Sequence, residues 1–236
     1  MKKPRLIHLA ETDSTNRWLR EHPAEDDVVV WTDYQTAGRG CGTNTWESEW
    51  GQNLLFSLLI HPVDVPADRQ FFISMVTANS ISRVIAKYVE NVSVKWPNDI
   101  YVGDRKICGI LIQNSLHGST IKDSVIGVGL NVNQLSFVSD APNPVSLASL
   151  TGRTFDPEAL LHELTEAFEA EWAGAEGVRA RYLSQLYRRK GFFRYRDAHG
   201  EFHAEQVTVE DDGHLVLRCI DGHTRRFAFK EVQFII

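Results

Sequence analysis

Lys95-Trp96-Pro97-Asn98-Asp99 is followed a short turn later by Lys106-Ile107-Cys108-Gly109-Ile110-Leu111-Ile112-Gln113. Two lysines, an amide and a carboxylate are thereby set beside a nearly all-apolar run. Charges in such a place are costly unless they meet opposite charge on a ligand. The simplest ligand for Lys95, Asn98, Asp99 and Lys106 together is a nucleotide phosphate with its magnesium ion.

A second candidate is Gln35-Thr36-Ala37-Gly38-Arg39-Gly40-Cys41-Gly42-Thr43-Asn44-Thr45-Trp46. Gly38, Gly40 and Gly42 let backbone N–H groups approach an anion, although a flexible surface loop has the same composition. Arg39, set between two glycines, offers a rigid guanidinium fork that matches carboxylate or phosphate. Trp46 either stacks on a base or covers core. The loop is not a P-loop, because no glycine in the chain is followed by lysine.

Thr12-Asp13-Ser14-Thr15-Asn16 precedes a helical stretch, Arg17 to Glu21, with Ser14 or Asp13 as its N-cap. Capping alone accounts for such a cluster, and so does a polar pocket at a helix start. Gly127-Val128-Gly129-Leu130-Asn131 thins one face of a strand, for a ligand or for a bulge or tight packing.

K-W-P-N-D, then K-x-x-G-I-L, then G-x-G-x-N, together with the glycine loop, resembles the biotin–protein ligase family over essentially the whole chain. The resemblance implies a two-step reaction: biotin attacks ATP to give biotinyl-5′-AMP and pyrophosphate, and a lysine of a carrier domain then takes the biotinyl group. It implies biotin and ATP as substrates, Mg2+ with the ATP, and a biotin carboxyl carrier domain of a carboxylase or decarboxylase as partner. Lys106, Arg39 and Asp99 are the expected catalytic group. The expected biotin contacts are Ser14, Thr15, Gln35, Gly38, Arg39, Lys106 and Gly109. The expected ATP and adenylate contacts are Arg39, Gly40, Cys41, Trp46, Asn53, Lys95, Asn98 and Asn131. Two places depart from the pattern: Cys41-Gly42-Thr43 in the loop, where many members have arginine or glutamine at position 41, and Gln113, where glutamate is common.

The alternatives are a lipoate ligase or octanoyl transferase on a similar fold, and a weakened ligase that only binds biotin or nucleotide. The chain has no R-R-x-S-G-G-G tract, which disfavours the former. A repressor with an N-terminal helix-turn-helix is disfavoured because the first motif begins at Glu11.

The elements that must position these groups read as an α+β fold. Strands are expected at Leu6–Leu9, Val28–Trp31, Leu54–Ile60, Val92–Val94, Ile107–Ile112 and Ser124–Asn133. A core helix is expected over Asp68–Glu90 and two more from Pro157 and Val178. From Gly191 short strands alternate with turns at Gly200, Asp212-Gly213 and Asp221-Gly222. The resemblance makes these a small SH3-like barrel over 191–236, behind a class II synthetase-like catalytic domain over 1–190.

At 236 residues, 43% hydrophobic and 24% charged, the composition is that of an ordinary globular protein. A net charge of −6 argues against nucleic-acid binding by bulk electrostatics. The cluster Arg188, Arg189, Lys190, Arg194 and Arg196 is short, with acidic residues close by in sequence. Met1-Lys2-Lys3-Pro4-Arg5 is basic, but no signal-like apolar stretch follows, and no run approaches the roughly 18 apolar residues of a membrane span. Three widely spaced cysteines suit free thiols in a reducing cytoplasm. The nine histidines show no metal-ligand spacing, so no zinc site is expected. A homodimer is left open.

Overall fold

The computed structural model describes residues 3–138 and 143–236. Met1 and Lys2, which head the basic start, lie outside the described residues. The larger unit is a seven-stranded mixed sheet in the order β1-β2-β3-β7-β6-β5-β4. Its strands are β1 (Arg5–Thr12), β2 (Val28–Gln35), β3 (Leu54–Ile60), β4 (Val92–Lys95), β5 (Asp99–Val102), β6 (Arg105–His117) and β7 (Thr120–Leu130). β1 and β2 run parallel, and the other neighbours are antiparallel.

Every residue of the interior strand β3 is buried, because helices cover both faces. Phe56, Leu58 and Ile60 face the main core, which also takes in α2 (Phe71–Ile85) and α4 (Pro157–Ala173). Leu59 joins Leu19 of α1 (Thr15–Glu21) in a smaller cluster on the opposite face. Period-two alternation puts Ser57 on that second face too, a single hydroxyl in an otherwise apolar strand. Among the described residues no helix is long and apolar enough to cross a membrane.

Several local expectations change. The hairpin after Val94 has three strands, since Ile100, Tyr101 and Val102 are buried as β5. Their β-forming side chains outweigh the turn residues around them. The helix expected over 68–90 begins with a 3-10 turn at Ala67–Arg69 and ends at Ile85. A further short helix follows Pro144, α3 (Leu147–Thr151), closed by a capping box at Ser146 and by Gly152 in left-handed backbone. Asp156 caps α4 by accepting the Glu158 N–H, with Pro157 first in the helix, as expected. α5 (Val178–Ser184) is short, and Leu186 then bridges to Val94.

Near the C-terminus β8 (Phe193–Asp197), β9 (Gly200–Val209), β10 (Leu215–Cys219), β11 (Thr224–Phe227) and β12 (Gln233–Phe234) form one antiparallel sheet ordered β11-β10-β9-β8-β12. Specific bonds fasten it to the larger unit. Trp96 Nε1 donates to the Gly213 carbonyl at 2.9 Å, and Gln206 Nε2 donates to the Tyr187 carbonyl at 2.6 Å. The tryptophan of K-W-P-N-D is therefore a clamp between the two sheets.

Candidate active site

A cavity of about 890 Å³ opens where β6 and β7, the N-terminus of α1, the glycine loop and the end of the C-terminal sheet meet. Its floor is glycine. Gly109 of β6 and Gly129 of β7 are cross-strand partners, and the indole of Trp46 packs against both. A Cβ on Gly109 would lie 2.8 Å from Trp46 Cζ3, and one on Gly129 would lie 2.7 Å from its Nε1. Gly127 is bare for a parallel reason, since a side chain there would overlap the Asn16 amide. The close approach that glycines in a strand suggest is thus made by Trp46 and Asn16. Trp46 Nε1 is buried with no hydrogen-bond partner among the described residues.

The charged end is organised by Asp99. On β5 it pairs in register with Lys95 of β4 and with Gly109 of β6. Its carboxylate also holds the Lys106 ammonium at 2.6 Å. Lys95 is mostly buried, with its ammonium 5.2 Å from the Tyr101 ring and 5.1 Å from that of Phe234. Burial pulls its pKa below the usual lysine value, against the opposing pull of Asp99. Asn98 bonds back to β6: its Nδ2 donates to the Ile110 carbonyl at 2.6 Å and lies 3.2 Å from Cys41 Sγ. Burial raises the Cys41 thiol pKa, the Asp99 charge adds to that, and Lys106 and Lys230 oppose it. Arg39 and Lys106, from separate elements, line this one cavity.

The glycine loop is a small hairpin. Gly40 N–H donates to the Asn44 carbonyl at 2.8 Å, Trp46 N–H donates to the Gly38 carbonyl at 3.0 Å, and Arg39 bridges to Thr45. Gly40 and Cys41 line the cavity, but Gly38 does not. A Cβ on Gly38 would lie 2.7 Å from the Trp46 carbonyl oxygen, so the residue is small to close the hairpin.

The opposite end is polar and uncharged. Ser14, Thr15, Asn16 and Gln35 line it. Thr15 donates to Gln35 Oε1 from both N and Oγ1, at 2.9 and 3.1 Å. Ser57 Oγ lies 2.7 Å from Thr15 Oγ1 and 2.5 Å from Asn16 Oδ1. Asn16 Nδ2 donates to the Leu111 carbonyl at 3.2 Å. Ser14 occupies the N-cap position of α1 but makes no side-chain cap bond, so capping does not explain its buried hydroxyl. Asn16 and Ser57 were not singled out from sequence. Ser57 left a signal, the only polar residue in L-L-F-S-L-L-I.

Two further expectations resolve differently. Asn131 lines the cavity, 3% exposed, with Nδ2 on the Val145 carbonyl and Oδ1 without a partner among the described residues. Asn53 does not line it. Its side chain accepts the Val132 N–H at 3.0 Å and donates to Gln134 Oε1 at 2.5 Å, so it braces the segment after β7. Lys230, just before the last strand of the C-terminal sheet, also lines the cavity. Arg194 and Arg196 both pair with Glu201, and Arg188 donates to the Ile235 carbonyl.

A model of the Biotin/lipoate A/B protein ligase family matches residues 8–131. The bifunctional ligase/repressor BirA of Bacillus spizizenii is 27% identical over 225 residues, covering 91% of this chain and 68% of that protein. The biotin–[acetyl-CoA-carboxylase] ligase of Paracoccus denitrificans is 28% identical over 224 residues, covering 89% of this chain and 92% of the other. Among solved structures, the biotin protein ligase of Aquifex aeolicus in complex with biotin and ATP superposes with a TM-score of 0.80 at 22% identity, over 98% of this chain and 99% of that one. The matched span runs from His8 on the first strand to Asn131 just past the seventh, and on that ground the chain belongs to the biotin/lipoate A/B protein ligase family.

Proposed function

We propose that the chain activates biotin with ATP and passes it to a lysine of a carrier domain. The observation that carries this reading is the division of one cavity into a neutral polar end and a cationic end across a glycine floor. Biotin has the complementary shape: a polar, uncharged ureido ring at one end and a carboxylate at the other. Ser14, Thr15, Asn16 and Gln35 meet the ring, and the apolar and glycine surface between takes the chain.

In the first step a biotin carboxylate oxygen bonds to the α-phosphorus of ATP while the bond to the β-phosphate oxygen breaks, releasing pyrophosphate. Carboxylate and phosphate repel each other, so positive charge is needed where they meet. Lys106, held in place by Asp99, and Arg39, brought over by the hairpin, supply it. In the second step a carrier lysine amine attacks the acyl carbon, AMP leaves and the amine loses a proton. Asp99 and Asn98 orient that amine from the floor of the cationic end.

The cationic end also fits a magnesium ion carried in on the nucleotide, because Asp99 offers a carboxylate and Asn131 an unpartnered amide oxygen. When bound, such an ion neutralises phosphate charge. The chain divides at 190/191 into a catalytic unit and a C-terminal unit that closes one side of the cavity.

The test is to incubate a biotin-carrier domain with the protein, ATP, magnesium and biotin and to weigh the carrier. A gain equal to one biotinyl group supports the reading. A gain only when lipoate replaces biotin assigns the chain to the lipoate side of the family, and no gain with either overturns it.

A further inference from the structure

The cationic end of the cavity is shared between two sheets. Phe229, Lys230, Val232, Gln233 and Phe234 line it from the C-terminal side, opposite the glycine hairpin. Lys230 has left-handed backbone, φ 71°, which a residue with a side chain adopts only where its surroundings hold it. Glu231 holds this turn. Its N–H donates to the Ala228 carbonyl at 3.2 Å, and its carboxylate accepts the Ala228 N–H at 2.7 Å.

The result is to carry the Lys230 ammonium over the bare face of Gly42, where a side chain would overlap it. There it joins the charges of Lys106 and Asp99 in acting on the Cys41 thiol. It lies 5.8 Å from the Phe229 ring, and no carboxylate among the described residues pairs with it. The hairpin from Gln35 to Trp46 carries one cation, Arg39. The charge of Lys106 is already set against Asp99 at 2.6 Å. An unpaired ammonium held in constrained backbone against the loop is therefore placed for an anion in the cavity.

We propose that Lys230 is a phosphate anchor supplied by the C-terminal sheet, which retains the acyl-adenylate in the cavity after pyrophosphate has left. This rests on the ligase reading above. It makes the C-terminal unit part of the nucleotide site and assigns to it the positive charge that Cys41 does not bring to the loop.

The test compares wild-type protein with Lys230→Gly, Lys230→Ala and Lys230→Arg, each loaded with biotin and labelled ATP without carrier. Escape of labelled adenylate is followed by rapid gel filtration at low and high salt. Glycine removes the charge while relaxing the left-handed backbone, so it separates charge from folding. Lys230→Gly and Lys230→Ala are expected to release adenylate about tenfold faster, with a gap that narrows at high salt. Lys230→Arg is expected to stay within about threefold of wild type. KM for ATP rises in the first two variants while KM for biotin does not. Unchanged release in Lys230→Gly overturns the proposal, as does an arginine variant as leaky as glycine. If the wild type forms no adenylate, the ligase reading itself fails. If the wild type forms adenylate that Lys230→Gly retains equally well, only the anchor fails.

Discussion

Asp99 stands between two lysines: Lys95 is its register partner on β4, and the Lys106 ammonium reaches its carboxylate at 2.6 Å from β6. One carboxylate thus fixes the position of a cation while the cavity stays net positive, because Lys95 and Arg39 line it too. The pair is mostly buried, with side chains 24% and 17% exposed, so desolvation offsets much of its attraction and its net contribution to stability is small. Its value is in aiming the ammonium.

Replacing Lys106 by alanine is expected to lower biotin-dependent exchange of pyrophosphate into ATP by at least about 10²–10³-fold. The circular dichroism spectrum should be preserved, since Lys106 packs no core. Exchange within a few-fold of wild type would remove Lys106 from the reaction.

Asn16→Ala and Ser57→Ala test the neutral end. Both side chains are buried and bonded to each other, so each truncation strands a polar atom and costs about 1–3 kcal/mol of stability. KM for biotin should rise about tenfold or more while KM for ATP holds. A rise confined to ATP would move the ureido ring elsewhere.

Gly129→Ala puts a methyl group into the Trp46 indole. The ring has to leave the floor, which should appear as a red shift in tryptophan emission against an unaltered far-UV spectrum. Unshifted emission would mean that the ring does not rest on the glycines in solution.

The Cys41 thiol, raised by burial and then by the Asp99 charge, holds less thiolate at a given pH than a free cysteine. Alkylation at Cys41, read by peptide mass spectrometry, should need higher pH than a free thiol. Asp99→Asn removes one cause of the rise and should move the profile to lower pH. A shift in the opposite direction would mean that Lys106, once released by Asp99, moves away from the thiol.

Trp96→Phe keeps the ring packing but deletes the bond to Gly213. It leaves a carbonyl unpaired, so a loss of about 1–3 kcal/mol is expected. That corresponds to a fall in Tm of about 2–4 °C for each kcal/mol. No change in Tm would mean that the two sheets are held by other contacts.

Sequence by itself determined the parts whose physics is local. The apolar runs of β2 and β3, Asp156-Pro157 at the start of α4 and the glycine-punctuated strands after Gly191 are set by strand propensity, capping and turn preference, which neighbours along the chain decide. Motif order likewise picked out Lys106, Arg39, Asp99, Ser14 and Thr15, all of which line the cavity. Tertiary structure alone decided what depends on cross-strand register and on packing between distant segments. It set Gly109 opposite Gly129 under Trp46, turned Ser57 toward Asn16, took Asn53 and Gly38 off the wall to brace neighbouring backbone, and brought Lys230 across to Gly42. None of these follows from spacing along the chain, because a side chain's partner across a sheet or between two sheets is fixed only when the strands have paired and the faces have closed.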